Sequence, residues 1–242
     1  MHSAPPRPIR DSFADVFKWA EACGAWERDN PAEAAALRAR HEADERARNA
    51  AEQAERLPGH LAACGVQLEQ REAILRGLQP TPAVREVRAW IDSPRTFLVL
   101  LGGAGAGKSC AAAEVMLWAR APRKPAGYAW TQPWEYSADR GWRVSAAALL
   151  AEPFNRELWN RAARVAWLVM DDLGVSPAND YAHGALDELI DVRWAQRRRC
   201  VVTSNLDPQT LAKYVGPRAW DRISGSGAIK SAGAKSLRGG AR

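Results

Sequence analysis

The sequence predicts an α/β domain, built on a parallel sheet with helices on both faces, behind an all-helical N-terminal segment. Three observations predict it. Residues 1–90 show only helical spacing of apolar residues. After Thr96, short apolar runs alternate with helical patterns, as in strand–helix–strand units. The first of these runs leads directly into a glycine-rich loop. We therefore predict a helical segment over residues 1–81 and an α/β domain over residues 82–242.

The N-terminal segment begins with Met1–Arg10, which carries three prolines and should be extended or disordered. Apolar spacing predicts a short helix over Asp11–Trp26. Asn30 can then cap a second helix with Pro31 at its first position, running to about Leu57 and ending at Pro58-Gly59. Its apolar face is nearly all alanine, so it buries little. A solvated arm and a partner-binding helix both fit this pattern.

Residues 68–90 are predicted to be helical with a break near Pro80, and the α/β pattern follows. Apolar runs such as these, when separated by helices, are typical of parallel strands buried on both faces. The predicted strands are FLVLL, WRVSA, VAWLVM and CVVTS, and the predicted helices between them are KSCAAAEVMLWAR and ALDELIDVRWAQ. The tail from Gly225 to Arg242 is rich in glycine, serine and basic residues.

The formal net charge is +6 and the sequence pI is about 9.4, with the basic excess confined to the part after Trp90. Such an excess favours an anionic partner such as DNA, although a solvated arginine-rich surface also fits. The four cysteines lie far apart, which gives no zinc or disulfide pattern, and we interpret His60 and Cys64 as structural. No apolar run approaches the ~20 residues of a membrane span, and the N-terminus has no signal-peptide core. We expect a cytoplasmic protein without membrane contact.

The loop after FLVLL has the spacing of a phosphate-binding loop, Gly-x4-Gly-Lys-Ser. Its glycines let backbone N–H groups turn toward phosphate oxygens, and the following helix adds its positive dipole end. Lys108 would contact the β- and γ-phosphates and the Ser109 hydroxyl would ligate Mg²⁺. The predicted nucleotide-binding residues are Gly102, Gly103, Ala104, Gly105, Ala106, Gly107, Lys108, Ser109 and Cys110.

A second buried strand ends in two acids, Asp171 and Asp172. Asp171 would hold Mg²⁺ and Asp172 would polarise the attacking water. An aspartate at the second position reaches less far than the glutamate found in many such ATPases. Taken alone, a surface pair ending a strand would explain them equally well; the complete phosphate loop favours the catalytic interpretation.

Two further sets of polar residues follow. Asn205, and next Thr203, could orient the water against the γ-phosphate, although such residues after a strand are often turn formers. Arg218 and Arg222 lie four apart on one helix face and could reach a neighbouring subunit's γ-phosphate. Spacing alone favours the other interpretation, in which these arginines lie at the surface or pair with Asp221.

An aromatic-rich stretch lies between the glycine-rich loop and the strand that ends in Asp171, and it carries two arginines, Arg140 and Arg143. Its rings could stack on single-stranded bases, but large aromatics more often fill the core. These aromatics are Tyr128, Trp130, Trp134, Tyr136 and Trp142. A second basic run, Arg197–Arg199, could contact DNA or form a solvated helix end.

The ordered set GGAGAGKS, VAWLVMDDLG, CVVTSNLD, DRI and SLRG resembles the AAA+ ATPases of the DnaC helicase-loader and IstB transposition-helper group. The resemblance covers Pro82 to Arg238 and includes the helix ALDELIDVRWAQRRR with Arg193. It implies that Asn205 is the sensor-1 residue, that Arg222 is the arginine finger and that Arg238 is a sensor-2-like residue. It also implies ATP, Mg²⁺, assembly into a ring or spiral, and single-stranded or duplex DNA as a partner.

These observations predict an ATPase that hydrolyses ATP at a subunit interface. The first function we expect is loading of a hexameric replicative helicase. A transposition helper that recruits a transposase, and a nucleotide-gated adaptor with little hydrolysis, are the alternatives. Whether Arg218 or Arg222 would be the finger stays open. The N-terminal segment lacks the cysteine-rich zinc element that some relatives carry.

Overall fold

The computed structural model describes residues 13–122, 134–175 and 180–233. The chain divides into two compact units, one ending at Glu52 and one beginning at Gln53. The helices are α1 (Phe13–Asp29), α2 (Pro31–Ala63), α3 (Leu68–Arg76), α4 (Pro82–Ile91), α5 (Lys108–Ala113), α6 (Ala146–Ala151), α7 (Arg156–Arg164), α8 (Asp180–Ala195), α9 (Pro208–Val215) and α10 (Pro217–Ser226). The strands are β1 (Phe97–Leu101), β2 (Arg120–Pro122), β3 (Trp134–Tyr136), β4 (Gly141–Ser145), β5 (Trp167–Asp171), β6 (Arg199–Ser204) and β7 (Gly227–Ser231).

The first unit is helical in its described part and contains α1 and the beginning of α2. Helix α2 starts at Pro31, as the sequence predicts. The side-chain amide of Asn30 donates to the carbonyl of Trp26 at 2.9 Å, at the end of α1. Of the side chains described between residues 21 and 52, only Ala34 is buried. The alanine-rich face therefore buries little surface, as its composition predicts.

Helix α2 does not end at Pro58-Gly59, where the sequence predicts its end, but continues to Ala63. Proline has no N–H, so one hydrogen bond of the helix is missing there. The following turn is held by tertiary contacts instead: His60 and Cys64 are buried, and Nε2 of His60 donates to the carbonyl of Met116 at 2.8 Å. Packing thus outweighs the local helix-breaking signal.

The second unit is built on a five-stranded sheet in the order β4-β5-β6-β1-β7. All four neighbouring pairs in this sheet are parallel. Parallel neighbours need crossover connections, and helices provide them on both faces. A separate antiparallel pair, β2 with β3, lies outside this sheet. The predicted fold class, a P-loop parallel sheet flanked by helices, is confirmed.

The sheet separates two apolar cores, which explains why its central strands are apolar on both faces. Strand β1 is buried along its whole length. Its alternate residues enter different cores: Phe97 and Val99 pack on one side, and Leu98 and Leu100 on the other. Trp142 of β4 also lies in the first core.

Residues 53–81 belong to the second unit rather than standing apart from it. Ile74 of α3 packs in the same core as Leu98 of β1. The predicted break near Pro80 is confirmed, because α4 begins at Pro82 and the hydroxyl of Thr81 accepts from the N–H of Val84 at 3.3 Å. Partner binding by residues 1–81 stays a prediction.

Two further elements differ from the sequence prediction. The helix after the glycine-rich loop ends at Ala113 and continues as a 3₁₀ helix, Glu114–Trp118. Strand β7 lies inside the stretch predicted to be a glycine- and serine-rich tail. It pairs with β1, placing Gly227 beside Phe97. A Cβ atom on Gly227 would lie 2.2 Å from the Ile223 carbonyl oxygen, so glycine allows this close approach.

Candidate nucleotide-binding site

The glycine-rich loop joins the carboxyl end of β1 to the start of α5. Gly105 and Gly107 have φ angles of 80° and 79°, a left-handed conformation that side chains disfavour. Gly107 is the N-cap of α5, so the loop turns directly into the helix. This strand–loop–helix context is the one that a phosphate-binding loop requires.

Lys108 is buried and its ammonium group faces back into the loop. Its Nζ donates to the carbonyls of Gly102 and Gly103 and to Oδ1 of Asn205, each at 2.8 Å. The loop of β1 and the carboxyl end of β6 are therefore joined by one cation. The residues predicted from separate motifs, Lys108 and Asn205, lie in direct contact.

Asp171 ends β5 inside the same cavity and is almost fully buried. Its Oδ1 accepts a hydrogen bond from the Thr203 hydroxyl at 2.6 Å. Its Oδ2 forms a buried ion pair with Nη2 of Arg143 from β4. Thr203 thus contacts the predicted metal ligand, whereas Asn205 contacts the lysine.

Asp172 follows immediately but is exposed. Its φ angle is 58°, an uncommon conformation for a residue other than glycine. Its backbone N–H donates to the hydroxyl of Thr203 at 2.9 Å. The two aspartates therefore differ in exposure. Asp171 is held in the sheet, whereas Asp172 reaches the surface of the cavity.

Arg143, Asp171, Asp172 and Asn205 line one cavity of about 800 Å³, together with loop residues 104–110. Another wall comes from α3, the start of α4 and the loop between them, which carry no motif and were not predicted. Its members include Gln67, Gln70, Gly77, Leu78, Thr81 and Val84. Gln70 is buried, and its Oε1 has no hydrogen-bond partner among the described residues. A helical spacing pattern alone gives no signal for such a wall.

Ser109 and Asp171 both line the cavity, and their hydroxyl and carboxylate oxygens are ligands that Mg²⁺ prefers. The donor set therefore fits the ion that the sequence implies. One carboxylate oxygen of Asp171 is engaged by Thr203 and the other by Arg143. A cation at Asp171 has to share or replace one of these contacts.

The candidate arginine finger lies elsewhere in the chain. Nε of Arg222 pairs with Oδ1 of Asp191, and its guanidinium lies 5.1 Å from the ring centroid of Trp194. Arg218 on the same face pairs with Asp191 at 2.7 Å. The ion-pair alternative that spacing favours is thus realised with Asp191 of α8 rather than with Asp221. A role for Arg222 at a neighbouring subunit stays a prediction. Arg238 lies outside the described residues.

The aromatic-rich stretch is only partly described: Tyr128 and Trp130 lie outside the described residues, as does the side chain of Trp134. Tyr136 stacks on His60 with ring centroids 4.6 Å apart, and Trp142 is buried. For Trp142, base stacking is therefore wrong and the core-packing alternative is right. The suggestion that Arg143 tracks DNA phosphates is also wrong, because Arg143 is buried against Asp171.

The basic run Arg197–Arg199 does not form one continuous surface. Arg199 donates to the carbonyls of Ser93 and Trp90 and lies 4.0 Å from the Trp90 ring centroid. Arg198 donates to the carbonyl of Ala163 at 2.8 Å. These two arginines therefore connect β6 to its neighbours, and Arg197 is the exposed member.

The cysteines and His60 play no part in this cavity except Cys110 of the loop. Burial raises the pKa of the Cys64 thiol to about 12 and that of Cys200 to about 11. Such thiols are protonated and inert. Within the described residues no group of three or more histidines, cysteines and acids could hold a metal.

The parallel sheet and the glycine-rich loop define a P-loop α/β domain. Among solved structures, the chain is similar to the DnaC helicase loader, with 17% identity over 68% of this chain and 91% of that one, and a TM-score of 0.46. It is also similar to DnaI (18% identity, 69% and 86% coverage, TM-score 0.45) and to AMPPCP-bound DnaA from Aquifex aeolicus (19% identity, 61% and 44%, TM-score 0.46). The chain spans less than half the length of that DnaA structure.

No protein-family model and no curated protein matches the chain. None of the described helices is long and apolar enough to cross a membrane.

Proposed function

We propose that this chain is a Mg²⁺-dependent ATPase of the AAA+ class. The observation that carries the proposal is the contact of Lys108 with both the glycine-rich loop and Asn205, in the cavity that also contains Asp171. A lysine in this position exchanges backbone carbonyls for the β- and γ-phosphate oxygens of a bound nucleotide. The N–H groups of the loop and the start of α5 contribute further positive potential.

Ser109 and Asp171 would hold Mg²⁺, which neutralises charge on the phosphates when it is bound. Asp172 reaches the cavity surface and would polarise the attacking water, with Asn205 orienting it. Arg222 of a neighbouring copy would stabilise the transferring charge, and Arg238 would contact the nucleotide from the same chain. Hydrolysis then requires assembly of the chain into a ring or spiral.

We propose ATP-dependent loading of a hexameric replicative helicase onto single-stranded DNA as the biological function. The order of motifs from residue 102 to residue 238 and the basic excess after Trp90 support it. A transposition helper that recruits a transposase has the same motif order. The short side chain of Asp172 favours a third candidate, a nucleotide-gated adaptor that hydrolyses little ATP.

The central test is ATP binding by the full chain, measured by isothermal titration calorimetry with Mg²⁺ present. We expect Lys108→Ala to lose binding at least about 100-fold, because the buried ammonium is the phosphate contact. Lys213→Ala removes the same group from an exposed position on α9 and should bind as the wild type does. Equal ATP affinity in Lys108→Ala and the wild type would refute the proposal.

Two measurements separate the finer alternatives. Specific ATPase activity should fall on dilution if Arg222 acts between subunits, and a rate independent of concentration would contradict that role. The full chain, immobilised with ATP, should capture a hexameric helicase from host lysate, and Lys108→Ala should not. Capture of a transposase subunit would support the transposition helper instead, and nucleotide binding without hydrolysis at any concentration would support the adaptor.

A further inference from the structure

Arg143 is a buried charged residue of the cavity that no nucleotide-binding motif explains. It lies on β4, one strand beyond Asp171, and only 7% of its side chain is exposed. Its Nη2 pairs with Oδ2 of Asp171, and its Nε has no partner among the described residues. A buried guanidinium with a single carboxylate partner faces the carboxyl end of the sheet, where phosphates are expected.

The backbone fixes Arg143 in this position. Its N–H donates to the carbonyl of Cys64 at 2.7 Å. A Cβ atom on Gly65 would lie 2.5 Å from the Arg143 carbonyl oxygen, so the chain after α2 packs tightly against this point of β4. The guanidinium therefore cannot leave the cavity by a shift of the strand; only its side-chain torsions can move it away from Asp171.

We propose that Arg143 is a positioning residue that competes with Mg²⁺ for Asp171. The inference rests on the proposed ATPase function. Both the guanidinium and the cation are attracted to the same carboxylate, and Thr203 already engages the other oxygen. Arg143 thereby raises the Mg²⁺ concentration needed for nucleotide binding.

The test is the Mg²⁺ concentration at half-saturation for binding of AMP-PNP, measured by calorimetry on the full chain. Arg143→Gln should lower it about tenfold or more, because a charge-assisted hydrogen bond of this kind corresponds to a factor of about 10 to 100. At saturating Mg²⁺ the AMP-PNP affinity should stay within about threefold of the wild type. Arg140→Gln removes the same charge from an exposed position three residues earlier and should change neither value.

A half-saturation value for Arg143→Gln within twofold of the wild type would overturn the inference while leaving the ATPase proposal intact. So would weaker AMP-PNP binding at saturating Mg²⁺ with an unchanged half-saturation value, because Arg143 would then contact the nucleotide only. A wild type that binds no AMP-PNP at any Mg²⁺ concentration would instead refute the proposed function. If Arg143→Gln does not fold, Arg143→Lys serves as the test. Lysine keeps the positive charge but lacks the planar guanidinium, so the Mg²⁺ concentration at half-saturation should fall about threefold.

Discussion

Arg193 offers the sharpest test of how the second unit is held together. It lies on α8, is fully buried and has no acidic partner among the described residues. Its guanidinium donates to the carbonyls of Ala162 and Val165, at 2.5 and 3.0 Å, and to that of Arg199 at 2.5 Å. It thus ties the end of α7 to the start of β6. Burial lowers its pKa to about 10, which means that the charge carries a desolvation cost.

We expect Arg193→Met to destabilise the chain by about 3–5 kcal/mol. Each charge-assisted hydrogen bond contributes roughly 1.5–3 kcal/mol, and methionine leaves the carbonyls of Ala162 and Val165 without this donor. Release of the buried charge offsets part of the loss. The carbonyl of Ala166, also contacted by Arg193, keeps a hydrogen bond from the N–H of Arg199.

Urea unfolding followed by tryptophan fluorescence measures this loss. With a slope of about 2 kcal/mol per molar urea, the midpoint should fall by roughly 1.5–2.5 M with no change of slope. Arg156→Met makes the same substitution at an exposed site on α7 and should change stability by no more than about 0.5 kcal/mol. A loss below about 1 kcal/mol for Arg193→Met would refute the reasoning, because the carbonyls would then need no donor.

Two other perturbations test different parts of the fold. Burial, more than any other cause, lowers the pKa of His60 from its ordinary 6.5, so its contribution to stability is present above pH 6.5 and is lost as the pH falls. The urea midpoint of the wild type should therefore drop between pH 7 and pH 5, and the midpoint of His60→Asn should drop less. Equal drops in the two proteins would contradict this role of His60. Gly227→Ala places a Cβ 2.2 Å from the Ile223 carbonyl and should cost about 3 kcal/mol, measured as a lower Tm, whereas an unchanged Tm would contradict the position of β7.

The sequence predicts those strands whose burial is recorded locally, as a continuous run of apolar residues. FLVLL, VAWLVM and CVVTS are apolar runs because both faces of the central strands are buried. Strand β7, GAIKS, has a burial pattern that fades along its length and exists through its pairing with β1. Likewise, the continuation of α2 past Pro58 depends on Met116, far along the chain. No local pattern reports such contacts.

The candidate site also combines residues that a local sequence motif predicts with residues that only tertiary contacts place there. Residues 102–110 and Asp171 could be predicted because a contiguous motif places each at the end of a strand. Arg143 could not, since it follows Trp142 in an aromatic-rich stretch that suggested a nucleic-acid surface. Its actual neighbour, Asp171, is set by the parallel pairing of β4 with β5. Gln70 comes from a helix with no motif and reaches the cavity only through tertiary packing.

The charges that line the cavity balance one another, and this bears on how ATP could be hydrolysed there. They are Arg76, Lys108, Arg143, Glu69, Asp171 and Asp172. A triphosphate carries several negative charges, so three bases offset by three acids do not match it. Backbone N–H groups of the loop supply only partial charges. In the proposed ATPase the remaining positive charge would come from Mg²⁺ and from outside the cavity. Arg222 could supply this charge to another copy only if its guanidinium left Asp191 and bound phosphate instead. If Arg222 of another copy supplies this charge in the proposed ATPase, hydrolysis should depend on protein concentration.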